Sequence, residues 1–578
     1  LPEFWTRRRA LVALAIITAV GGTLRFYNLA WGAPYYHFHI DEHFVFSGAE
    51  LLRRGMAEAA MAPKFFMYSP LPMYLVNAAR FVYESVAHPL VLTVPRDEIT
   101  YMVLGRAISA AFGTATILVA YAIATRLAGR LAGLLSAAFL SVSVLHVRDS
   151  HFFSVDVSMT FFVMLTWLAL LRLLERGDRR SAVLAGLSLA GAILCKYSAA
   201  FMAAPIAVAH LLSPSRPAAI RPLAAWRQWL VNGVIAALTA VVAFLLFDPM
   251  VVRFFEKFLF DVRTLITEPL TGVTRPVFNA HFTDVGSPHL YWFTNLLWWG
   301  VGPALEIWGL AGLVWLLTRR RSAAFVSALV PVAYFAVAGG SAAPFVRYVI
   351  PLAVALTVPA GVLSADLARS PRWRVPGAVA TTLVLIATCL YAAAYMNVFR
   401  QPDSRVVAAR YLRERIPVDA SVLIEPSHNI PPMGAYMYAP SFYQDYVLWG
   451  AQSQRQDHYR LFSLDTYVFL YDYRRTDQEK QEYIRSRLAQ ADWIVMDDTY
   501  VQFYQHLPEN EHRVVKQYYR DLFDGRLGFT LARTFKVYPS LFGREINDDG
   551  AELTFRLFDH PRIFVFRRTG DAVASRAN

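Results

Sequence analysis

The chain has 578 residues, 56% of them hydrophobic and 17% charged, with a mean hydropathy of +0.35. Soluble domains run nearer a quarter charged, so the composition excludes an ordinary soluble enzyme and fits a polytopic membrane protein with room for a separate folded domain. The formal charge of +13 would point to nucleic acid in a soluble chain, but here the basic residues fall largely between apolar segments. Membrane orientation explains much of the excess, and no nucleic-acid partner is expected.

The chain opens on Trp5-Thr6-Arg7-Arg8-Arg9 and an apolar run to about Leu24. No A-x-A-like cleavage site follows, and Arg25-Phe26-Tyr27 reads as an interfacial border, so a retained span is expected. Applying a window of roughly 20 apolar residues, with allowance for tilt and short helices, gives about eleven spans. They lie near 10–25, 101–124, 131–147, 155–174, 181–195, 197–212, 229–247, 296–317, 323–338, 348–365 and 375–397. Cys195 and Cys389 fall inside such stretches, and no disulfide framework is implied.

Under that count, Arg7–Arg9, Arg126 and Arg130, Arg176 to Arg180, Arg216 to Arg227, Arg319–Arg321 and Arg369 to Arg374 all fall on one side. The positive-inside rule makes that side cytoplasmic, together with the N-terminus. The opposite face carries a first loop, 26–100, a second, 248–295, and the tail. The expected organisation is a membrane module over 1–397 and an extracytoplasmic α/β domain over 398–578. Within the tail, Arg405–Arg415 has helical spacing. Ser421–Ile424 and Ala491–Met496 read as buried strands. Phe555–Phe558 and Ile563–Phe566 flank the turn signal Asp559-His560-Pro561.

The chemistry candidates come in chain order too. Asp41 and Glu42 open a helical pattern in the first loop. One reading is a helix cap, since Asp and Glu suit a helix N-terminus; the other is a general base that takes a proton from an acceptor hydroxyl. The two are compatible. His37, His39 and His43 crowd the pair and are of a type that ligates a divalent metal, although x-H-x alternation gives no tetrahedral arrangement by itself. Interfacial histidines without metal are the alternative. Asp156 stands at the mouth of the fourth span, where an ionised carboxylate is costly unless paired. It reads as a second catalytic acid or as another cap.

Lys64, Arg148, Lys196 and Arg347 lie on the side that should be poor in positive charge. Each alone can snorkel to headgroups. Together they fit a shared anion, such as a departing phosphate whose charge grows in the transition state. Arg106 is a deeper, weaker candidate, and Arg148 has Asp149 beside it as a ready partner. Tyr68 and Tyr74 either line a sugar pocket or join the aromatic belt. Asp284 and His289 are further polar candidates for a substrate pocket, and Glu306 lies mid-span.

These elements recur in a familiar order: the acidic pair, Tyr68-Ser69-Pro70-Leu71, the Arg106 span, the Asp156 mouth, Cys195-Lys196-Tyr197 and Phe345-Val346-Arg347-Tyr348-Val349-Ile350-Pro351. Over roughly 10–400 the chain resembles the GT-C superfamily of membrane glycosyltransferases. It is most similar to the dolichyl-phosphate-mannose protein mannosyltransferase family, including its prokaryotic members, and similar in layout to the lipid A aminoarabinose transferases. The resemblance implies inverting transfer of a sugar from a polyprenyl-phosphate-linked donor to a hydroxyl on an acceptor glycan, lipid or protein, at the outer face of a prokaryotic plasma membrane. Asp41 would be the base and Glu42 its orienting partner, with Lys64, Arg148, Lys196 and Arg347 on the phosphate. Two departures stand out: the histidines around Asp41, and the absence of room for the β-trefoil domain of the eukaryotic members. The rival readings are a transporter or flippase, expected to show broken helices at the midplane, and a noncatalytic scaffold with an external binding domain.

Overall fold

In hydrocarbon a chain must satisfy its own backbone hydrogen bonds, and apolar stretches therefore become helices. The computed structural model describes residues 5–33, 39–62, 65–87, 98–213, 223–319, 321–425, 427, 429–433 and 459–569. Helices occupy Arg7–Phe26, Glu98–Ser141, Val155–Arg176, Arg179–Cys195, Tyr197–Leu211, Leu223–Phe247, Pro303–Thr318, Ser322–Ala338, Ile350–Arg369 and Arg374–Arg400. Among the described residues six helices are long and apolar enough to cross a membrane alone, or seven if one bent pair is a single span. The expectation of eleven counts shorter helices as crossings.

Two breaks matter. Glu98–Ser141 is interrupted at Ala128 (φ −148°) and Gly129 (φ 81°), which separates the two spans expected there. The expected span 296–317 is not one helix. Pro288–Val301 and Pro303–Thr318 meet at 120°, turning at Gly302, whose φ of 81° and ψ of 148° suit glycine.

The chain divides into two units. The first comprises Leu1–Leu29, Val45–Thr271 and Pro288–Ala393. Its centre is the helix Ile350–Arg369, buried continuously from Ile350 to Ala365. At one end of the unit the arginine loops interlock. Arg130 donates to the Trp5 carbonyl at 3.2 Å, Arg126 pairs with Glu175 at 3.5 Å, and Arg179 reaches Gln228 at 3.5 Å. Arg319 and Arg369 donate to the carbonyls of Leu127 (3.3 Å) and Ala128 (2.6 Å), which the helix break leaves without intrahelical partners. Loops placed on one side by the arginine pattern thus share one end. Arg25, read as an interfacial border, is instead fully buried. It donates to the carbonyls of Gly21, Leu140 and Ser141 and meets His146 Nδ1 at 2.8 Å.

The second unit comprises Ala30–Phe44, Gly272–Ser287 and Ala394–Asn578. Its strands are β1 (Ala420–Ile424), β2 (Tyr459–Ser463), β3 (Trp493–Asp497), β4 (Phe529–Phe535), β5 (Ser540–Leu541), β6 (Arg544–Glu545) and β7 (Ile563–Arg568). The sheet runs β2-β1-β3-β7-β4, while β5 and β6 form a separate pair. Strands β1, β2 and β3 are parallel, and β7 runs antiparallel to both β3 and β4. Side chains alternate across the sheet as the strand period demands. Leu423, Ile494, Met496 and Phe566 enter one core, and Val422, Ile424, Trp493, Val495, Ile563 and Val565 enter the other. Helix Asp477–Gln490 starts on a capping box, Thr476 with Glu479. Of the two segments flanking the turn signal Asp559-His560-Pro561, the first lies in a helical turn, Thr554–Leu557, and the second is β7. Ile40, Val277 and Ala280, from segments that the sequence assigns to membrane-module loops, belong to this unit's core.

Candidate active site

Helix Ile40–Arg54 carries Asp41 and Glu42 in its first turn. Free backbone N–H groups at a helix start favour carboxylates there. Both side chains are buried, at 2% and 0% exposure. The Asp41 N–H donates to His39 Nδ1 at 3.2 Å, and the Glu42 N–H donates to the His39 carbonyl at 3.0 Å. The His39 ring packs on Phe558 at 4.2 Å between centroids, and Ile40 packs into the second unit's core. The acidic pair is therefore held on a fixed turn, as a base requires. Because Nδ1 of His39 accepts from backbone, that lone pair is not available to a metal. Among the described residues no group of three His, Cys, Asp or Glu side chains is arranged to hold a metal ion. His43 sits beside Phe44, and His37 lies outside the described residues.

In the first unit the helix Arg179–Cys195 stops at Lys196, which is extended (φ −158°, ψ 125°), and a 3-10 turn resumes at Tyr197. Lys196 Nζ lies 2.7 Å from Asp156 Oδ1. Asp156 itself is in the first turn of Val155–Arg176 and is buried. Lys196 Nζ also sits 4.5 Å from the centre of the Tyr348 ring, and the Arg347 guanidinium lies 5.4 Å from that same ring and 4.9 Å from that of Phe345. Tyr348 is fixed in turn, because its carbonyl accepts from the Tyr334 hydroxyl. Asp156, Lys196 and Arg347, expected from sequence, thus gather around Tyr348. The order of the two motifs gave Lys196 and Arg347; the ring between them had no signal beyond its place in the second motif.

The other expected cations are placed differently. Arg148 and Asp149 form a buried pair at 3.1 Å. Arg148 and Arg106 each lie 5.7 Å from the Phe152 ring, and Arg106 donates to the Leu29 carbonyl at 2.9 Å. Lys64 lies outside the described residues. Tyr68 packs on the cluster that holds Phe65, Phe66 and Val251. Tyr74 donates its hydroxyl to the Phe247 carbonyl at 3.0 Å. Asp284 pairs with His506 at 2.8 Å in the second unit, while His289, in the first, packs against Phe335. Glu306 occupies the first turn of Pro303–Thr318, near the bend and not mid-span.

Residues 101–253 match the family model described as dolichyl-phosphate-mannose-protein mannosyltransferase. That stretch carries Arg106, Arg148, Asp156 and Lys196. No curated protein matches the chain. Among solved structures, the Archaeoglobus fulgidus oligosaccharyltransferase tethered to an acceptor peptide is 13% identical, covering 98% of this chain and 89% of that one with a TM-score of 0.51. ArnT from Cupriavidus metallidurans bound to undecaprenyl phosphate is 15% identical over 95% and 97% of the two chains, with a TM-score of 0.44. The segment 101–253 thus resembles that mannosyltransferase family, and the likeness to the oligosaccharyltransferase shows a shared fold.

Proposed function

We propose that the protein is an inverting glycosyltransferase that takes a sugar from a polyprenyl-phosphate-linked donor at the extracytoplasmic face of a prokaryotic plasma membrane. In this reading Asp41 removes the proton of the acceptor hydroxyl as its oxygen bonds to the anomeric carbon, and Glu42 orients it. The bond from that carbon to the phosphate oxygen breaks, and polyprenyl phosphate leaves with the bonding pair. Lys196 and Arg347 meet the charge that grows on it. Asp156 holds Lys196 by their ion pair and acts as a positioning residue.

The observation that carries this reading is the convergence of Lys196 and Arg347 on Tyr348. Two cationic side chains and one carboxylate meet there, and the excess of cationic groups suits an anionic headgroup. The family match over 101–253 supports a donor of the dolichyl-phosphate-mannose kind. The acceptor is a hydroxyl on a glycan, lipid or protein. Asp41→Asn tests the assignment: sugar transfer in detergent should fall by about 10²-fold or more while binding of a polyprenyl monophosphate persists. Near-normal turnover would remove the base. The 120° bend at Gly302 is the feature that favours a transporter, and uptake of a labelled solute into sealed vesicles by the Asp41→Asn variant would support that alternative.

A further inference from the structure

Lys196 is a single extended residue between two helical segments, so its direction depends on what fixes the residues beside it. On one side the helix ends at Cys195, which is buried. On the other, the Tyr197 hydroxyl donates to Asp248 Oδ2 at 3.1 Å. The Tyr197 ring stands edge-on to Phe258 at 5.3 Å and Phe244 at 6.4 Å. Asp248 is itself anchored. It is buried, lies one residue past the helix Leu223–Phe247, and donates its N–H to the Phe244 carbonyl at 2.8 Å. The preceding carbonyl, that of Phe247, accepts from Tyr74. The hydrogen bond therefore pins the break at Lys196 to the end of a helix some fifty positions further along the chain.

We propose that Tyr197 and Asp248 form a latch that positions Lys196 for the donor phosphate. This rests on the phosphate role assigned to Lys196 above. The physical reason is the angle between the two segments: the Lys196 N–H donates to the Ala192 carbonyl and its own carbonyl accepts from the Ala199 N–H, both at 3.0 Å, which holds each segment to the break but leaves their mutual angle to one residue's φ and ψ. A side-chain bond on the next residue supplies the constraint that the backbone cannot. Without it Lys196 keeps Asp156 as a partner but loses a fixed origin, and the ammonium no longer rests reproducibly over Tyr348. Neither Tyr197 nor Asp248 is assigned contact with the donor.

The experiment is binding of a long-chain polyprenyl monophosphate to the full-length protein in detergent, with the uncharged polyprenol of the same chain as comparison. Tyr197→Phe keeps the ring and deletes the hydroxyl. It should weaken monophosphate binding about threefold to tenfold, the range for one typical hydrogen bond, and leave polyprenol binding unchanged. Asp248→Leu should do the same, and the double variant no more than either alone. Asp248→Asn, which keeps an acceptor oxygen, should bind nearly as the parent does. Equal losses for monophosphate and polyprenol would mean a merely structural contact and overturn the latch, as would unchanged monophosphate affinity in Tyr197→Phe. Lys196→Met separates the two levels. If it loses the monophosphate while Tyr197→Phe binds normally, only the latch fails; if it binds normally, the phosphate reading fails and the latch with it.

Discussion

At the residue scale, the second unit buries charge that its neighbours must compensate. His560 lies between two carboxylates, with Nδ1 at 2.5 Å from Asp559 and Nε2 at 2.8 Å from Asp548. The Tyr395 hydroxyl donates to the other oxygen of Asp559 at 2.7 Å. Burial alone would lower the imidazole pKa; Asp548 and Asp559 outweigh it and raise the value from 6.5 to about 9. A raised histidine contributes stability in full below pH 6.5 and loses it as pH rises through 9, because the native state then no longer holds the extra proton. The contribution is about 3 kcal/mol. Glu425 acts in the same direction. Burial pushes its carboxyl up to about 8, against the Tyr519 and Tyr518 hydroxyls that donate to it at 3.0 Å each and hold the value down. Its proton is held in the fold but lost in the unfolded chain above the ordinary carboxyl range, so stability falls as pH climbs toward 8. The thermal midpoint of the full chain in detergent should therefore drop between pH 6.5 and 9. His560→Gln should lower the midpoint at pH 6.5 and flatten that slope; an unchanged slope would mean His560 is neutral in the fold.

At the element scale, close backbone approach decides how the helices pack. A Cβ added at Gly361 would meet the Ala132 carbonyl oxygen and the Ser136 nitrogen, both at 2.6 Å. Those are backbone atoms of a neighbouring helix and cannot swing aside. Small residues at such contacts let membrane helices approach. Gly361→Ala should cost about 1–3 kcal/mol and lower the midpoint in detergent, whereas Leu383→Ala, at a position 60% exposed, should change little. A midpoint for Gly361→Ala equal to that of the parent would show that the two helices part without penalty. This scale also shows what the sequence could and could not reveal. Apolar length disclosed the helices, since each stretch must bond to itself. Arginine order disclosed which loops share an end. Lys196 and Arg347 were legible because they interrupt apolar runs where cations are rare. The turn at Gly302 was hidden because a hydropathy window averages across Gly302-Pro303. Phe555–Phe558 carries no assignable pattern because four residues are too few to separate a period of two from one of 3.6. Arg25 looked interfacial because its acceptors, the carbonyls of Leu140 and Ser141, lie more than a hundred residues away. Tyr197–Asp248 and the capture of Ala30–Phe44 by the second unit are likewise tertiary, with no local pattern to announce them.

At the scale of the whole molecule, the orientation proposed from the arginine pattern is the least costly proposal to test. The interlocked arginine loops form one end of the first unit, and the positive-inside rule assigns that end to the cytoplasm. Lys and Arg resist translocation, whereas a folded tail does not. The two native cysteines interfere little: Cys195 is buried, and Cys389 is exposed on the helix Arg374–Arg400 within an apolar stretch. Replacing both by alanine leaves a background for single probes. Glu509 in the second unit is highly exposed, at 81% for its side chain, and Arg180 stands at the start of the helix Arg179–Cys195 in an arginine loop. In intact cells, Glu509→Cys should react with a membrane-impermeant maleimide at once. Arg180→Cys should react only after the membrane is permeabilised. The reverse pattern would put the second unit in the cytoplasm, and a sugar transfer that draws on Asp41 would then have to take place on the inner face. Labelling of both sites in sealed cells would mean that Arg180 and Glu509 share one compartment, which the proposed orientation forbids.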